Sequence, residues 1–304
     1  MSEQKTQSIW SNPLTPWAVL IGLSLIWGSS FILIKKSLLA FTPNEVGALR
    51  VAISTIAILP ILVLRFKKQN WKLIPLFFVV GMTGNFLPAL LFSNAEVMVD
   101  SGVAGVLNSL TPLFTIIIAW LFFRRTFRPT EAIGIFFGFI GAACLILYAQ
   151  GGTDFQHISY GLLIVLATIC YGLSVNVVNH KLDSVNPIDI TVMSFCCVGV
   201  LAFGYLIGWT EVVNHATEHP DGMTSLLSVT FLALVGTVIS TVIFYKLVQE
   251  TDAIFGSLVA YLIPIIALLW GILDGETLLI THLIGFGLIL FGVYLVKKAP
   301  SRNT

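Results

Sequence analysis

The sequence predicts an all-α polytopic membrane protein: ten transmembrane helices, arranged as two inverted five-helix repeats around a central cavity. Three observations carry this reading. The 304-residue chain is 57% hydrophobic and only 10% charged, with mean hydropathy +0.94, whereas soluble domains carry ~25% charged residues. The second half of the chain repeats the first. Lys and Arg gather at alternate ends of the apolar segments, as membrane topology demands.

The repeat runs at nearly constant offsets. At 152 residues, the stretch from Val103 to Pro112 meets that from Phe255 to Pro264, Asp100 meets Asp252, Phe92 meets Phe244 and Gly84 meets Gly236. At 144, Gly28 meets Gly172, Ser30 meets Ser174 and Pro43 meets Pro187. At 151, Gly134 and Gly141 meet Gly285 and Gly292. The repeats are placed at residues 17–148 and 159–297. Internal repeats in an apolar chain mark many secondary transporters, and repeats of five spans insert in opposite senses.

The segments follow in order. The first, Trp17–Ile34, carries Trp27 about 15 Å from its start at ~1.5 Å per residue. The second, Glu45–Leu64, contains Arg50 near its beginning. The third, Leu73–Met98, holds Gly81, Gly84, Asn85 and Pro88, with Glu96 and Asp100 at its end. The fourth, Gly102–Phe123, carries Asn108, Ser109 and Thr111 before Pro112. The fifth is Thr130–Tyr148. The sixth, Tyr160–Val178, places Tyr171 near mid-membrane, ~17 Å from the beginning of a helix of that pitch, and Asn176 nearer its end. The seventh is Pro187–Ile207. The eighth, Leu226–Val248, has Thr237, Ser240 and Thr241. The ninth, Ala253–Leu273, has Ser257 and Tyr261 before Pro264. The tenth is Leu279–Val296. Most approach the ~20 residues that a spanning helix needs, and none alternates as a barrel strand does. Linkers are short except Trp209–Ser225, read as a solvated acidic loop; His215 and His219 within it are not read as a metal site.

Thirteen of the sixteen Lys and Arg fall on one side when the spans alternate, leaving Lys35, Lys36 and Arg50 for the other. The rule that basic loops stay inside then puts both ends of the chain in the cytoplasm of a bacterial inner membrane. The polar opening residues and the long first span do not read as a cleaved signal peptide. A net charge of +1 leaves no nucleic-acid footprint. Cys144, Cys170, Cys196 and Cys197 lie in apolar segments and read as small hydrophobes. No HExxH or GxSxG motif and no deep carboxylate pair is present, so no catalytic residue, metal or cofactor is assigned.

Polar groups at membrane depth are costly unless they face protein or water. The candidate substrate-binding residues are therefore Trp27, Ser30, Asn85, Asn108, Thr111, Tyr171, Asn176, Thr237, Ser240 and Tyr261. Bonds between helices are the competing reading of each. Pro88, Pro112 and Pro264 are candidate helix breaks, because proline frees a carbonyl. Arg50 is read as snorkelling to the surface, with carboxylate binding the alternative. Glu96 is read as part of a solvated rim, with proton coupling the alternative.

These patterns resemble the EamA-like transporters of the drug/metabolite transporter superfamily. The resemblance lies in Trp27-Gly28-Ser29-Ser30-Phe31 with Lys35, Pro43 with Arg50, Leu110-Thr111-Pro112-Leu113-Phe114, Leu262-Ile263-Pro264 and Gly275-Glu276, and it covers about residues 17–297. Arg124-Arg125 stands where the first repeat of the family usually has Gly-Glu, and Glu96 where the family is apolar. The resemblance implies a ten-helix basket whose cavity is lined mainly by spans 1, 3, 4, 6, 8 and 9. It implies export or exchange of small metabolites, often amino acids or related compounds. Apart from the resemblance, a proton or an exchanged substrate is the expected coupling partner. A ten-span bundle closes its own cavity and is expected to act as a monomer in the lipid bilayer. The alternatives are a lipid-carrier flippase or nucleotide-sugar-type antiporter of the same fold, or a channel or receptor.

Overall fold

A computed structural model describes residues 10, 12–126, 128–148, 155–277 and 279–298. We number its long helical segments α1 (Thr15–Ser37), α2 (Pro43–Arg65), α3 (Trp71–Ala95), α4 (Ser101–Phe122), α5 (Pro129–Tyr148), α6 (Phe155–Lys181), α7 (Pro187–Trp209), α8 (Gly222–Glu250), α9 (Ala253–Leu273) and α10 (Ile280–Lys298). Among the described residues nine helices are long and apolar enough to cross a membrane, and Ile280–Val296 in α10 is a shorter apolar helix. No strand occurs among them. We call the side where α1 begins the near face and the side where it ends the far face.

The helix starts explain where the structure departs from the predicted boundaries. α2 begins at Pro43 because Thr42 caps it: the Thr42 side chain accepts from the Glu45 amide, and the Glu45 carboxylate accepts from the Thr42 amide at 2.8 Å. This reciprocal box satisfies donors that a helix start otherwise leaves open. The segment Trp209–Ser225, read as a loop, contains a helical turn at Val212–Glu218 and the first turn of α8. Its His215 ring contacts the Glu45 carboxylate at 2.9 Å.

Glycines let the helices meet backbone to backbone. α5 and α10 cross antiparallel. A Cβ on Gly134 would come within 2.2 Å of the Gly292 carbonyl oxygen, and one on Gly141 within 2.7 Å of the Gly285 oxygen. Since 134 pairs with 285 and 141 with 292 in the repeat, these contacts are mirror statements of each other. An antiparallel crossing of equivalent helices is what inverted repeats require. The same symmetry packs Gly28 of α1 on Ile266 of α9, and Gly172 of α6 on Phe114 and Thr115 of α4.

The helix ends are symmetric too, even where residue type is not. Gly275 turns the chain after α9 with φ +87°, and its counterpart Arg124 does so after α4 with φ 56°. The amides of Glu276 and Arg125 then reach back to Gly271 and Ala119 carbonyls.

Leucine at Gly134 or Gly292 is expected to wedge α5 from α10 and cost about 1–3 kcal/mol of stability, the usual range for overpacking. Leucine at Gly287, where an added Cβ meets nothing within 4 Å, should leave thermal stability in detergent near wild type. Equal loss at all three positions would show that the glycine stripe is not the contact that holds these helices.

Candidate functional site

Among the described residues five spanning helices are interrupted along their length, α1 at Ser29 among them. α3 contains a π-helical stretch at Met82–Phe86 and α8 one at Leu234–Ile239. These segments are counterparts at the 152-residue offset. α4 tightens to a 3₁₀ turn at Asn108–Leu110, and α9 is interrupted at Leu258. π-helical stretches and mid-helix 3₁₀ turns are frequent at functional positions, and each break leaves carbonyls that need donors.

Those donors are side chains. Trp27 Nε1 donates to the Gly236 carbonyl at 2.8 Å. Pro264 has no N–H to offer the Ala260 carbonyl four residues back, and Ser109 Oγ donates to it at 3.0 Å. Pro112 likewise frees the Asn108 carbonyl, which Thr111 Oγ1 takes at 2.8 Å. Thr237 and Ser240 donate to carbonyls five residues back, Leu232 and Val235. That spacing is the π register itself.

The breaks surround a central cavity. Its wall comes from α1, α3, α4, α6, α8 and α9, with one residue of α2, Arg50. Trp27, Ser30, Asn85, Asn108, Thr111 and Tyr171 lie together in that wall. The others lie behind it. Asn176 is fully buried and donates to the Thr115 and Gly172 carbonyls, tying α6 to α4. Ser240 serves its own helix. Tyr261 is half-buried outside the lining. Thr237 accepts from Arg50 Nε at 2.7 Å, one layer back from the cavity. Pro88 and Pro264 are buried beside the π stretch of α3 and within α9.

Two sequence expectations are corrected. Arg50 does not snorkel: its Nε donates to Thr237 Oγ1 on α8, and its side chain lines the cavity. Glu96 is not a solvated rim residue. It is 8% exposed, and neither carboxylate oxygen has a hydrogen-bond partner among the described residues; the end of α3 is covered by its neighbours.

The lining also holds aromatic residues not singled out from the sequence. Trp27 meets Phe244 edge-on, with centroids 5.1 Å apart, and Tyr171 stacks on Phe92 at 6.1 Å. The two pairs are counterparts, so each repeat supplies one ring from its first helix and one from its third. The Phe92–Phe244 match in the repeat was the signal that could have found them. Ser174, Thr241 and Tyr245 add hydroxyls. Asn85 is 7% exposed, and its Nδ2 has no hydrogen-bond partner among the described residues.

Beyond this cavity, toward the far face, lies a cluster of charges. Glu276 Oε1 accepts from Lys35 Nζ at 2.8 Å and from the Ser101 amide and hydroxyl at 3.1 and 2.7 Å. Glu276 Oε2 accepts from the Gly102 amide at 3.1 Å. An anion here satisfies the open donors at the start of α4 and meets the positive end of its dipole. Asp274 bridges Lys35 and Lys36 at 2.9 and 2.5 Å. Hydrogen bonds from Lys36 and Lys35 hold the Asp274 carboxyl below its ordinary range. Burial pushes the Glu276 carboxyl up, but the bonds from Lys35, Ser101 and Gly102 outweigh it and the net shift is downward.

Broken spanning helices around a cavity shared by two inverted halves define a helical membrane transporter. The EamA-like transporter family matches residues 16–147 and again 158–297. The chain belongs to that family. It is 27% identical to an uncharacterized transporter of Archaeoglobus fulgidus, over 93% of this chain and 98% of that one. It is 28% identical to the uncharacterized inner membrane transporter YedA of Escherichia coli K12, over 92% and 90%. It is 25% identical to a probable amino-acid metabolite efflux pump of Salmonella typhimurium, over 89% and 91%. One crystal structure of a protein at 17% identity shares the fold, with a TM-score of 0.64 over 94% of this chain and 98% of its own.

The lowered carboxyls set a pH dependence. Their contribution to stability is fully present above the ordinary values of 4.5 for Glu276 and 3.8 for Asp274. It is lost as pH falls through the lowered folded values. Wild type is therefore expected to lose thermal stability below about pH 4 more steeply than an E276Q/D274N double variant. Parallel profiles for the two proteins would remove these carboxyls as the cause.

Proposed function

We propose that this protein is a secondary transporter of small metabolites, amino acids or related compounds among them, which exports or exchanges them across the cytoplasmic membrane by alternating access. The central cavity is the substrate site. The observation that carries this reading is that counterpart elements of both repeats build one wall: the aromatic pairs Trp27–Phe244 and Tyr171–Phe92, and the π stretches of α3 and α8. A site shared in this way opens to either side when one set of helices rocks against the other. The name of the Salmonella relative supports amino-acid metabolites as the substrate class, and that of the Escherichia coli relative supports the inner membrane.

The near face is cytoplasmic, because eleven of the fourteen described Lys and Arg lie toward it. Transport runs on a substrate or proton gradient. The sequence contains no GxxxxGK[ST] phosphate loop, and a monomer holds the whole cavity.

Purified protein in liposomes is expected to move substrate down an imposed gradient without ATP; strict ATP dependence would end the reading. Alanine at Asn85 or Asn108 removes a polar group from a partly dry site. The loss of ~1–3 kcal/mol weakens substrate binding about five- to a hundredfold. If both variants unfold while the surviving fraction binds normally, these amides are helix bonds and the site lies elsewhere.

A cysteine at Asn214, with the four native cysteines replaced, is expected to react with an impermeant thiol reagent in intact cells. Protection at that position, with labelling beside Lys68 instead, would reverse the orientation.

A further inference from the structure

Among the described residues the cavity has one charged lining residue. Arg50 is presented from α2, the one helix outside the six that otherwise form the wall. Its counterpart at the 144-residue offset is Ser194, so the charge exists in one repeat only. Thr237 Oγ1 receives Nε at 2.7 Å, and the Tyr171 hydroxyl faces the same guanidinium. Among the described residues no carboxylate lies within 4.0 Å of it, although every other ion pair of the helix ends is closed at shorter range. Glu96 is an electrostatic neighbour without a direct bond. A guanidinium carries five N–H donors in a planar fork, and these contacts leave part of that fork for a ligand.

A desolvated cation without an anion is expensive and is normally paired. Asn85 Nδ2, buried beside the Tyr245 hydroxyl, has no hydrogen bond within 3.5 Å among the described residues and lines the same cavity. Among the described residues the wall contains no Asp or Glu. A ligand amine would therefore meet aromatic faces and amide oxygens, with no ionic partner in the lining.

We propose that the transported compounds are organic carboxylates whose carboxylate is held by Arg50, with Asn85 as a second donor, and whose apolar remainder lies between the two aromatic pairs. An α-ammonium group is dispensable. This rests on the cavity being the substrate site, as proposed above. Bidentate geometry makes guanidinium and carboxylate a matched pair, and Thr237 holds the guanidinium in position through Nε. Ser194 leaves the opposite half neutral, so the carboxylate has one fixed end in the cavity.

The test uses the full chain, purified in detergent and in liposomes, with two matched series. These are L-phenylalanine, 3-phenylpropanoate, L-phenylalaninamide and phenethylamine, and L-leucine, 4-methylpentanoate, L-leucinamide and isoamylamine. Thermal stabilisation reports binding, and counterflow reports transport. The carboxylates, with or without the ammonium group, should bind at least tenfold more tightly than the amides and amines. Arg50→Gln should abolish that preference, and Arg50→Lys should keep part of it. If Arg50→Gln fails to fold, the wild-type series alone decides. Preference for amines or amides, weakened by Asn85→Ala, overturns the carboxylate assignment while leaving the cavity as the site. Carboxylate binding that Trp27→Ala, Asn85→Ala and Arg50→Gln all leave intact places the site elsewhere and overturns both readings. Binding of none of the eight compounds overturns this proposal, whereas transport of other solutes sensitive to Asn85→Ala would keep the cavity.

Discussion

Every backbone polar group at membrane depth must find its partner inside the protein, and that constraint shapes this molecule more than any other. The helices are broken where the cavity lies, so carbonyls come free there. Side chains of one repeat satisfy backbone of the other. Trp27 takes Gly236, Ser109 takes Ala260, Ser24 takes Val259 and Ser54 takes Ala233. In the opposite direction Asn176 takes Thr115. The breaks that open a cavity therefore also bind the repeats together. A net hydrogen bond is worth only ~1 kcal/mol, but an unmet carbonyl in an apolar setting costs more. Each of these serines and the tryptophan thus prevents a larger penalty than its own bond suggests.

Symmetry is kept in backbone and relaxed in side chains. Arg124 adopts the left-handed turn that Gly275 adopts, a conformation unfavourable for a residue with a Cβ. At the next position Arg125 replaces Glu276, and six residues later Glu131 stands opposite His282. Acid and base have exchanged places. Arg125 binds Glu131 at 2.6 Å, and Glu131 accepts from the Arg128 amide as His282 accepts from Leu279. The start of α5 and of α10 is capped either way. What the exchange changes is the partner of the first residue: Glu276 reaches across to Lys35, while Arg125 stays within its own repeat.

The fold was legible in the sequence because its two carriers, apolar length and duplication, are both one-dimensional signals. The site was legible in part. Trp27, Ser30, Asn85, Asn108, Thr111 and Tyr171 stood out as polar or amphipathic groups at depth. Depth alone does not tell which side of a helix faces a cavity, so Asn176, Ser240 and Tyr261 shared the signal without reaching the wall. Phe92 and Phe244 gave no polar signal at all. The π stretches were hidden because their residues, Met82-Thr83-Gly84-Asn85-Phe86 and Leu234-Val235-Gly236-Thr237-Val238-Ile239, read as ordinary apolar helix. Arg50 was misplaced because the distance from a span's start says nothing of a partner such as Thr237 on another helix.

The ion pairs separate parts that stay together from parts that can move. Glu45 and Asp189 are counterparts at the starts of α2 and α7. Glu45 meets His215 on the far face, and Asp189 meets Arg65 at 2.6 Å on the near face. α2 is thus tied to α7 on the near face and to the helix that follows α7 on the far face, and α5–α10 is locked by its glycines along its length. The glycine contacts map onto themselves when the repeats exchange roles, whereas in the ion pairs only the acids correspond, because the counterpart of Arg65 is Trp209. The Glu276 cluster does not map onto itself. It ties α1, α4 and α9 on the far face, and the counterparts of Lys35 and Glu276 are Asn179 and Arg125, which form no such bridge among the described residues. If the cavity opens alternately, as proposed, opening the far face must separate this cluster and uncap α4, and opening the near face meets no equivalent. The clamped pairs then serve as the frame. The helices that carry Trp27, Asn108 and the cavity wall of α9 are the ones whose far ends this cluster ties together.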